Sequence, residues 1–278
     1  MQIVRTPHEL TTAVRRFRAD NRSVALVPTM GALHRGHQAL MSRGLTECDE
    51  LAVTIFVNPK QFNDPDDFHR YPSTIDDDLD VCRLSGASIA YVPTTESMYP
   101  PGFATNVHID GVGDDHEGRS RPGHFDGVST VVTKLLVAAE ADVAVFGQKD
   151  YQQVAVVRRL VRDLDIPTTI VVESTVRDED GLAMSSRNSR LSSRARTMAL
   201  VIPRALERAH ELVESGVESA PRLEHELTDL LESAGLRVDY VRVVDRSTLQ
   251  VGDVVRGESV LLVAAEIDGV RLIDNIEL

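Results

Sequence analysis

Two histidines three residues apart, in the stretch "VPTMGALHRGH" from Val27 to His37, are the residues whose spacing most directly suggests chemistry. At the start of a helix, His34 and His37 would lie on one face and could both donate to the same anion. Gly31 and Gly36 allow tight turning, and a helix N-terminus favours phosphate. The stretch therefore predicts a phosphate site, and the alternative is a pair of solvated or capping histidines.

A second segment, "FGQKDYQQ" at 146–153, follows the apolar run "VAVF". Lys149 is a compact cation that suits a phosphate, although a solvated surface lysine is the alternative. The amides of Gln61 and Gln153 can both donate and accept, which suits a hydroxy acid with its hydroxyls and carboxylate. Alternatively, Gln61 is an ordinary turn residue and Gln153 a glutamine on a helix surface.

A third segment, "GLAMSSRN" at 181–188, combines two hydroxyls with a guanidinium. Ser185 and Ser186 can donate to an anion, and Arg187 can bind phosphate in bidentate geometry. The small polar residues predict a mobile loop that could close over a bound phosphate. An interdomain linker with a solvated arginine is the alternative.

The elements that must position these segments alternate between strand and helix. Five short runs are apolar at nearly every position, which is typical of parallel strands buried on both faces: "SVALV", "LAVTIFV", "SIAYV", "VAVF" and "TTIVVE". Segments long enough for crossover helices separate them. The pattern predicts a doubly wound, Rossmann-like parallel sheet, whose ligands collect at the carboxyl ends of the strands.

After about Val176 the pattern changes to two helical segments followed by three strand-like runs, "VDYVRVVD", "SVLLVAAEI" and "VRLIDNI". Helices followed by strands predict a small α+β domain. We therefore expect a sheet domain over 1–176 and a smaller, lid-like α+β domain over 177–278.

Composition limits the partners. The 278 residues carry a net charge of −13, which argues against a nucleic-acid surface. No apolar run reaches the roughly 20 residues needed to cross a bilayer, and the first residues lack a signal-peptide pattern, so a cytoplasmic location is expected. Cys48 and Cys82 form no metal or redox motif and are expected to be small buried residues. No GxGxxG or GxxxxGK[ST] loop follows a strand, which disfavours hydride transfer and P-loop hydrolysis.

Five motifs in order carry a family resemblance: "PTMGALHRGH", "IFVNPKQF", "RPGHFDGVSTVVTKLL", "FGQKDYQQ" and "DGLAMSSRN". Together they closely resemble the pantoate–β-alanine ligase (pantothenate synthetase) family. Its HxGH and "MSSRN" segments are similar to the HIGH and KMSKS signatures of the wider nucleotidyltransferase superfamily. The ending "RLIDNI" is a weaker match.

The resemblance implies an ATP-dependent ligase that joins pantoate to β-alanine through a pantoyl adenylate, releasing pyrophosphate and AMP. It implies catalytic roles for His34, His37, Lys149, Ser186 and Arg187, and pantoate binding by Gln61 and Gln153. The ATP-binding set implied is Met30, Gly31, Ala32, Leu33, His34, Arg35, Gly36, His37, Gly147, Gln148, Lys149, Asp150, Val176, Met184, Ser185, Ser186 and Arg187. A homodimer is also implied.

The acidic run "IDDDLD" at 75–80 permits two interpretations. Carboxylates in the first turn of a helix are favoured by the helix dipole alone. The family resemblance instead implies a magnesium-associated aspartate, and Asp78 is the best-matched position. His124 in "RPGHF" also matches the family, either through packing or through contact with substrate.

Three other functions share some of these features. A nucleotidyltransferase would share the HxGH loop but leave the nucleotide on its product. A tRNA synthetase is disfavoured by the acidic charge and by the lack of a basic anticodon-binding segment. A non-catalytic nucleotide sensor would not need Gln61 and Gln153 together with the cationic residues.

Overall fold

The computed structural model describes residues 1–255 and 257–278. The chain forms two compact units, one of residues 1–148 and 156–174 and the other of residues 149–155 and 175–278. No helix in the described residues is long and apolar enough to span a bilayer.

The first unit is built on six parallel strands in the order β1-β4-β3-β2-β5-β6. These are β1 Gln2–Val4, β2 Val24–Thr29, β3 Glu50–Ile55, β4 Ile89–Tyr91, β5 Val143–Gly147 and β6 Thr169–Glu173. Strands β2, β3 and β4 are buried along nearly their whole length, as their apolar runs predicted. Strand β6, from the run "TTIVVE", lies at the sheet edge and is only half-buried. The predicted doubly wound parallel sheet is confirmed.

The strand β1 was not predicted. It has only three residues, two of them exposed, so it carries no buried apolar pattern of its own. Pairing with β4 makes it an edge strand. The run "SVALV", expected to form the first strand of the sheet, is therefore the second along the chain.

The described part of the first unit holds seven helices: α1 Pro7–Ala19, α2 Arg35–Glu47, α3 Pro65–His69, α4 Ile75–Leu84, α5 Thr95–Met98, α6 Glu117–Ser120 and α7 His124–Ala139. Helix α8, Tyr151–Asp163, begins among the residues that group with the second unit. The α2 helix packs closely on the sheet at Gly44, where an added β-carbon would lie 3.1 Å from a methyl of Leu51.

In the residues that the structure describes, the second unit contains three further helices and an antiparallel sheet of order β7-β8-β9. Its elements are α9 Ser193–Ala199, α10 Val201–Glu214, α11 Ala220–Ser233, β7 Arg237–Asp245, β8 Ser259–Ile267 and β9 Val270–Glu277. The helices bury leucine and alanine stripes against one face of the sheet in a core of their own. This is the α+β arrangement that the sequence predicted.

The compact units divide the chain differently from the predicted boundary after residue 176. Residues 149–155 group with the second unit, which resumes at Thr175. A side chain from the far end of the chain explains part of this grouping, because Asn275 on β9 donates a hydrogen bond to the carbonyl of Lys149. Such a long-range contact leaves no trace in local sequence pattern.

Candidate active site

The order in which the chain adds strands to the sheet of the first unit reverses between β2 and β5. Strand β2 pairs with β3 on one side and with β5 on the other, so the chain winds outward both ways from this point. Ligands of open α/β sheets bind outside the carboxyl ends of strands at such a switch point. The loop 30–34 after β2 and Gly147 at the end of β5 both lie at this edge.

The loop after β2 has an unusual backbone. Gly31 and Ala32 both have positive φ, at 85° and 50°. The left-handed conformation costs an alanine roughly 1 kcal/mol, so the surroundings must hold it in place. The Thr29 hydroxyl helps to hold this backbone in place. Its oxygen accepts from the Gly31 N–H at 3.3 Å, and the hydroxyl donates to the carbonyl of Thr54 at 2.6 Å.

The two histidines cap helix α2 reciprocally. His34 is the N-cap residue, and its Nδ1 accepts from the N–H of Gly36 at 3.1 Å. The Nδ1 of His37 accepts from the N–H of His34 at 3.2 Å, and the ring centroids are 4.1 Å apart. A neutral imidazole whose Nδ1 accepts carries its proton on Nε2. In the neutral form, each ring therefore accepts in the cap through Nδ1 and carries its proton on Nε2.

Asp78 supports this loop from helix α4. Its carboxylate accepts from the N–H of Ala32 at 3.0 Å and from the N–H of Leu33 at 2.7 Å. The side chain is 2% exposed. Within the described residues, no group of three or more His, Cys, Asp or Glu side chains is arranged to hold a metal ion. Both carboxylate oxygens of Asp78 are thus engaged by the loop, and the magnesium role of this residue stays a prediction.

The amide of Gln61 is oriented by a chain of hydrogen bonds. The Tyr99 hydroxyl donates to Asn58 Oδ1 at 2.7 Å, and Asn58 Nδ2 donates to Gln61 Oε1 at 3.0 Å. The Nε2 of Gln61 then points to the sulfur of Met30 at 3.2 Å. The fold thus brings together a predicted pantoate residue, Gln61, and a predicted ATP residue, Met30. It presents the amide of Gln61 as a donor.

Helix α7 fixes the main chain at the same place. His124 Nδ1 lies 2.8 Å from the carbonyl of Gln61, and an N–H of the Arg121 guanidinium lies 3.4 Å from it. Gly127 approaches so closely that an added β-carbon would lie 2.3 Å from the carbonyl oxygen of Lys60. His124 was predicted either to pack near the site or to contact substrate. In the structure it contacts the main chain that carries Gln61.

In the second unit, Lys149 follows β5 within a short 3₁₀ turn, Gln148–Asp150. Its side chain is 21% exposed, and its ammonium lies 3.8 Å from the Asp150 carboxylate. Its carbonyl accepts from Asn275 Nδ2 at 3.0 Å. Gln153 is half-buried on the first turn of α8.

The segment 176–184 is a small hairpin. The N–H of Met184 donates to the carbonyl of Val176 at 2.9 Å, which brings these two predicted ATP residues together. Arg177 anchors the hairpin, because its guanidinium contacts both carboxylate oxygens of Asp274 at 2.6 and 3.1 Å and also donates to the carbonyl of Gly181. The Asp274 side chain is almost fully buried, whereas the Arg177 side chain is one third exposed.

The loop after the hairpin is ordered by its own side chains. Ser185 caps the 3₁₀ turn Ser186–Arg190, its Oγ accepting from the N–H of Arg187 at 3.3 Å. The Asn188 amide donates to the carbonyl of Ala183 at 3.0 Å. Ser186 and Arg187 are half-buried, so their side chains are partly accessible.

Cys82 and Cys48 are both free thiols. Cys82 is buried in the sheet domain, and this burial raises the pKa of its thiol to about 12. Burial also raises the pKa of the half-buried Cys48 thiol. Reactive cysteines need a thiolate near neutral pH, so neither thiol is suited to nucleophilic chemistry.

Sequence reasoning missed the residues that support the site. Asn58 and Asn275 each hold a predicted site residue through a hydrogen bond, and Tyr99 holds Asn58. Asn58 stands before a proline, a common helix-capping signal, and it does accept from the N–H of Lys60. Tyr99 and Asn275 have no comparable local signal, because their partners lie 41 and 126 residues away.

Comparison with known proteins identifies the family of the chain. The family model described as pantoate-beta-alanine ligase matches residues 2–277. Pantothenate synthetase from Cereibacter sphaeroides (strain ATCC 17029 / ATH 2.4.9) is 47% identical over 275 residues, covering 99% of this chain and 98% of the relative. The Pseudomonas aeruginosa PAO1 enzyme of the same name is 44% identical over 278 residues, with coverage of 99% and 98%.

Solved structures match over the whole chain. Pantothenate synthetase from Thermus thermophilus superposes with a TM-score of 0.94 at 41% identity, covering 100% of this chain and 99% of that one. Pantoate-beta-alanine ligase from Francisella tularensis, complexed with beta-gamma ATP and beta-alanine, has a TM-score of 0.81 at 32% identity, with coverage of 100% and 97%. The chain therefore belongs to the pantoate–β-alanine ligase family.

Proposed function

We propose that this protein condenses pantoate with β-alanine, using ATP and forming pantothenate, AMP and pyrophosphate. One structural observation carries the proposal: His34 and His37 cap α2 side by side at the switch-point edge of the sheet, with their ring centroids 4.1 Å apart. The Francisella relative, solved with an ATP analogue and β-alanine, supports the choice of substrates.

In the first step, a carboxylate oxygen of pantoate attacks the α-phosphorus of ATP. The bond from the α-phosphorus to the bridging oxygen breaks, and pyrophosphate leaves with that oxygen. The product is pantoyl adenylate, a mixed anhydride. Negative charge on the departing pyrophosphate is the charge that donors from the protein must stabilise.

In the second step, the amine of β-alanine attacks the acyl carbon of the adenylate. The bond from that carbon to the phosphate oxygen breaks, AMP leaves, and the amine loses a proton as the amide forms. A free carboxylate is a poor electrophile, so the first step supplies the leaving group that the second needs. No covalent bond to the protein is required.

We assign the charge-stabilising role to His34, His37, Lys149, Ser186 and Arg187. The histidines donate hydrogen bonds from Nε2. Lys149 acts as a point charge, and Arg187 as a planar donor. The leaving pyrophosphate is an anion, and the overall charge of the protein is −13. Cationic side chains directed at the pyrophosphate would supply the positive charge that this leaving group needs.

We assign pantoate to Gln61 and Gln153. The donor orientation of Gln61, imposed by Asn58, suits the hydroxyl or carboxylate oxygens of the acid. Gln61→Ala and Gln153→Ala should each weaken pantoate binding by about 1–3 kcal/mol with little change in ATP affinity. Calorimetry with ATP and with pantoate separately tests this; loss of ATP binding in both variants would place the acid elsewhere.

The remaining elements of the proposal come from the family resemblance. Mg²⁺ enters as part of the ATP substrate, held by its phosphates. The protein acts in the cytoplasm as a homodimer, with small molecules as its only substrates. Two free cysteines are consistent with a reducing compartment. Sedimentation at micromolar concentration tests the dimer, and a single species at about the monomer mass would contradict it.

Pyrophosphate exchange tests the function. Given ATP, Mg²⁺ and pantoate without β-alanine, the protein should incorporate labelled pyrophosphate into ATP, because adenylate formation is reversible while pyrophosphate is present. Adding β-alanine should divert the adenylate to pantothenate and AMP.

The same assay distinguishes the other functions. A nucleotidyltransferase would require a phosphorylated acceptor, a tRNA synthetase would require its amino acid, and a nucleotide sensor would catalyse no exchange. Absence of pantoate-dependent exchange in a folded protein would overturn the proposal.

A further inference from the structure

The loop after β2 contains a small anion-binding concavity. Gly31 and Ala32 both have positive φ. The N–H groups of Ala32 and Leu33 both donate to one carboxylate. Successive backbone N–H groups in such conformations form a nest for an anion. In this protein the anion is internal, since Asp78 Oδ2 accepts from Ala32 and Asp78 Oδ1 accepts from Leu33.

Asp78 is held tightly from its own helix. The Thr74 hydroxyl donates to Asp78 Oδ2 at 3.2 Å, and the Asp78 N–H donates to the carbonyl of Thr74 at 2.8 Å. An added β-carbon at Gly31 would lie 2.8 Å from Asp78 Oδ2, so the loop backbone closes directly over the carboxylate. Three donors from the described residues therefore share the two oxygens of a residue that is 2% exposed.

This environment is unsuited to magnesium. Mg²⁺ requires octahedral geometry and usually keeps several of its waters, whereas Asp78 is buried and only 2% exposed. The N–H groups of Ala32 and Leu33 point their positive ends at the oxygens that a cation would need. Asp76 and Asp77 in the same helical turn are exposed, so their side chains point elsewhere.

Building on the proposed function, we propose that Asp78 is a positioning residue that fills the nest of the loop 31–33 and thereby fixes the His34–His37 pair, and that it is not a magnesium ligand. His34 follows Leu33 directly and caps α2. The amides of Ala32 and Leu33 are engaged by Asp78, so ATP phosphate is bound by side-chain donors such as His34 and His37 and not by these two amides.

Asp78→Asn, with Asp76→Asn as the matched control, tests the inference. Asparagine keeps the shape and one acceptor but turns an NH₂ group toward a backbone N–H. In pyrophosphate exchange, kcat should fall at least tenfold, while the Mg²⁺ concentration for half-maximal rate should change less than twofold. Asp76→Asn should behave as wild type. A magnesium ligand would instead give a half-maximal concentration raised tenfold or more and activity restored at high Mg²⁺.

Amide NMR gives a readout that needs neither ATP nor activity. Hydrogen exchange at Ala32 and Leu33 should accelerate at least tenfold in Asp78→Asn and stay unchanged in Asp76→Asn. Unchanged exchange at both amides in a folded Asp78→Asn protein would overturn the inference. Because these amides report on the loop alone, the result stands even if the proposed function fails.

The wild-type protein provides a test should Asp78→Asn fail to fold. Titration with Mg²⁺ alone should leave the Ala32 and Leu33 amide resonances in place, since no cation enters the nest. Saturable shifts of these two resonances at millimolar Mg²⁺ would contradict the inference. Thr74→Val, which keeps the carboxylate and removes one donor, should produce a smaller loss of kcat with the same unchanged Mg²⁺ dependence.

Discussion

Asn275, three residues from the end of the chain, donates from its side-chain amide to the main-chain carbonyl of Lys149 at 3.0 Å. Asn275 is buried on β9, beside Asp274, which holds Arg177 at the base of the hairpin 176–184. The last strand of the second unit thus anchors two of its segments that carry predicted ATP residues. Neither anchor contacts substrate in the proposed mechanism, so both act through other residues.

Lys149→Ala should reduce kcat by two or more orders of magnitude without unfolding the protein. The lysine is proposed to stabilise charge on the phosphates in the transition state, where one such group typically contributes about 3–4 kcal/mol. Lys149→Arg should restore only part of the rate, because the two cations differ in shape and reach. Pantoate-dependent exchange measures the effect, and near-normal turnover in a folded Lys149→Ala protein would remove this residue from the mechanism.

Asn275→Ala should lower kcat about five- to tenfold, since losing one such hydrogen bond costs about 1 kcal/mol and leaves the Lys149 carbonyl less well held. In the Lys149→Ala background the same substitution should have almost no further effect on kcat, because residues that act together are not additive. Additive losses in this double-mutant cycle would show that Asn275 acts independently of Lys149. Glu277→Gln, on an exposed position of the same strand, is the control.

Tyr99→Phe should raise the KM for pantoate about fivefold and leave the KM for ATP unchanged. The substitution removes the donor to Asn58 and so loosens the amide that orients Gln61, at a cost of about 1 kcal/mol. Tyr91→Phe is a matched control, because the buried Tyr91 hydroxyl has no hydrogen-bond partner among the described residues. That control should be as stable as wild type or more so; equal kinetics for both variants would refute the role of Tyr99.

His37→Asn and His37→Gln separate the two nitrogens of the ring. Asparagine places an acceptor near the position of Nδ1, so it should preserve the cap on the His34 N–H but lose the Nε2 donor. Glutamine places its amide nearer the position of Nε2, so it should retain more exchange activity and less thermal stability. Steady-state exchange and thermal unfolding on both variants test this; the opposite ranking of activity would assign the function of His37 to its cap.

Gly127→Ala should destabilise the first unit by about 1–3 kcal/mol and weaken pantoate binding. The new methyl would lie 2.3 Å from the carbonyl oxygen of Lys60 and 2.6 Å from the nitrogen of Gln61, so the backbone must move. Thermal unfolding and pantoate calorimetry measure both effects. Gly252→Ala, where the nearest atom is 3.7 Å away, should change neither.

Asp245→Asn should lower stability near neutral pH by about 1 kcal/mol, a figure reduced for the solvent exposure of the group. The Ser247 hydroxyl and then the Thr248 N–H hold the pKa of the Asp245 carboxyl at about 2, below the usual 3.8. Because the folded-state pKa is lowered, the stabilisation is complete above pH 3.8 and disappears as pH falls towards about 2.

Urea unfolding across this acid range should therefore show the two proteins converging. Asp253→Asn provides the control, because Asp253 is exposed and lies outside the turn 245–248. A stability difference that persisted at the lowest pH would mean that the ionised carboxylate is not the source of the stabilisation.

The sequence by itself determined the class of fold and the segments that carry chemistry. Strands such as Val24–Thr29 and Glu50–Ile55 are buried on both faces, so their apolar character is continuous and visible in the sequence. The HxGH stretch could be placed after a strand because its glycines and histidines all lie within the short segment 31–37, shortly after an apolar run. Local patterns of this kind need no knowledge of distant residues.

Only the tertiary structure decided how those segments are held. Gln2–Val4 becomes a strand through pairing with Ile89–Tyr91, and Asp78 meets the amides of Ala32 and Leu33 across 46 and 45 residues. Polar contacts between distant segments depend on where the fold places each backbone. The acidic run of α4 would therefore have the same sequence whether its aspartate bound a metal ion or the backbone of a loop. Packing of α4 against the loop after β2 gives the buried aspartate two of its three donors, and Thr74 at the start of α4 supplies the third.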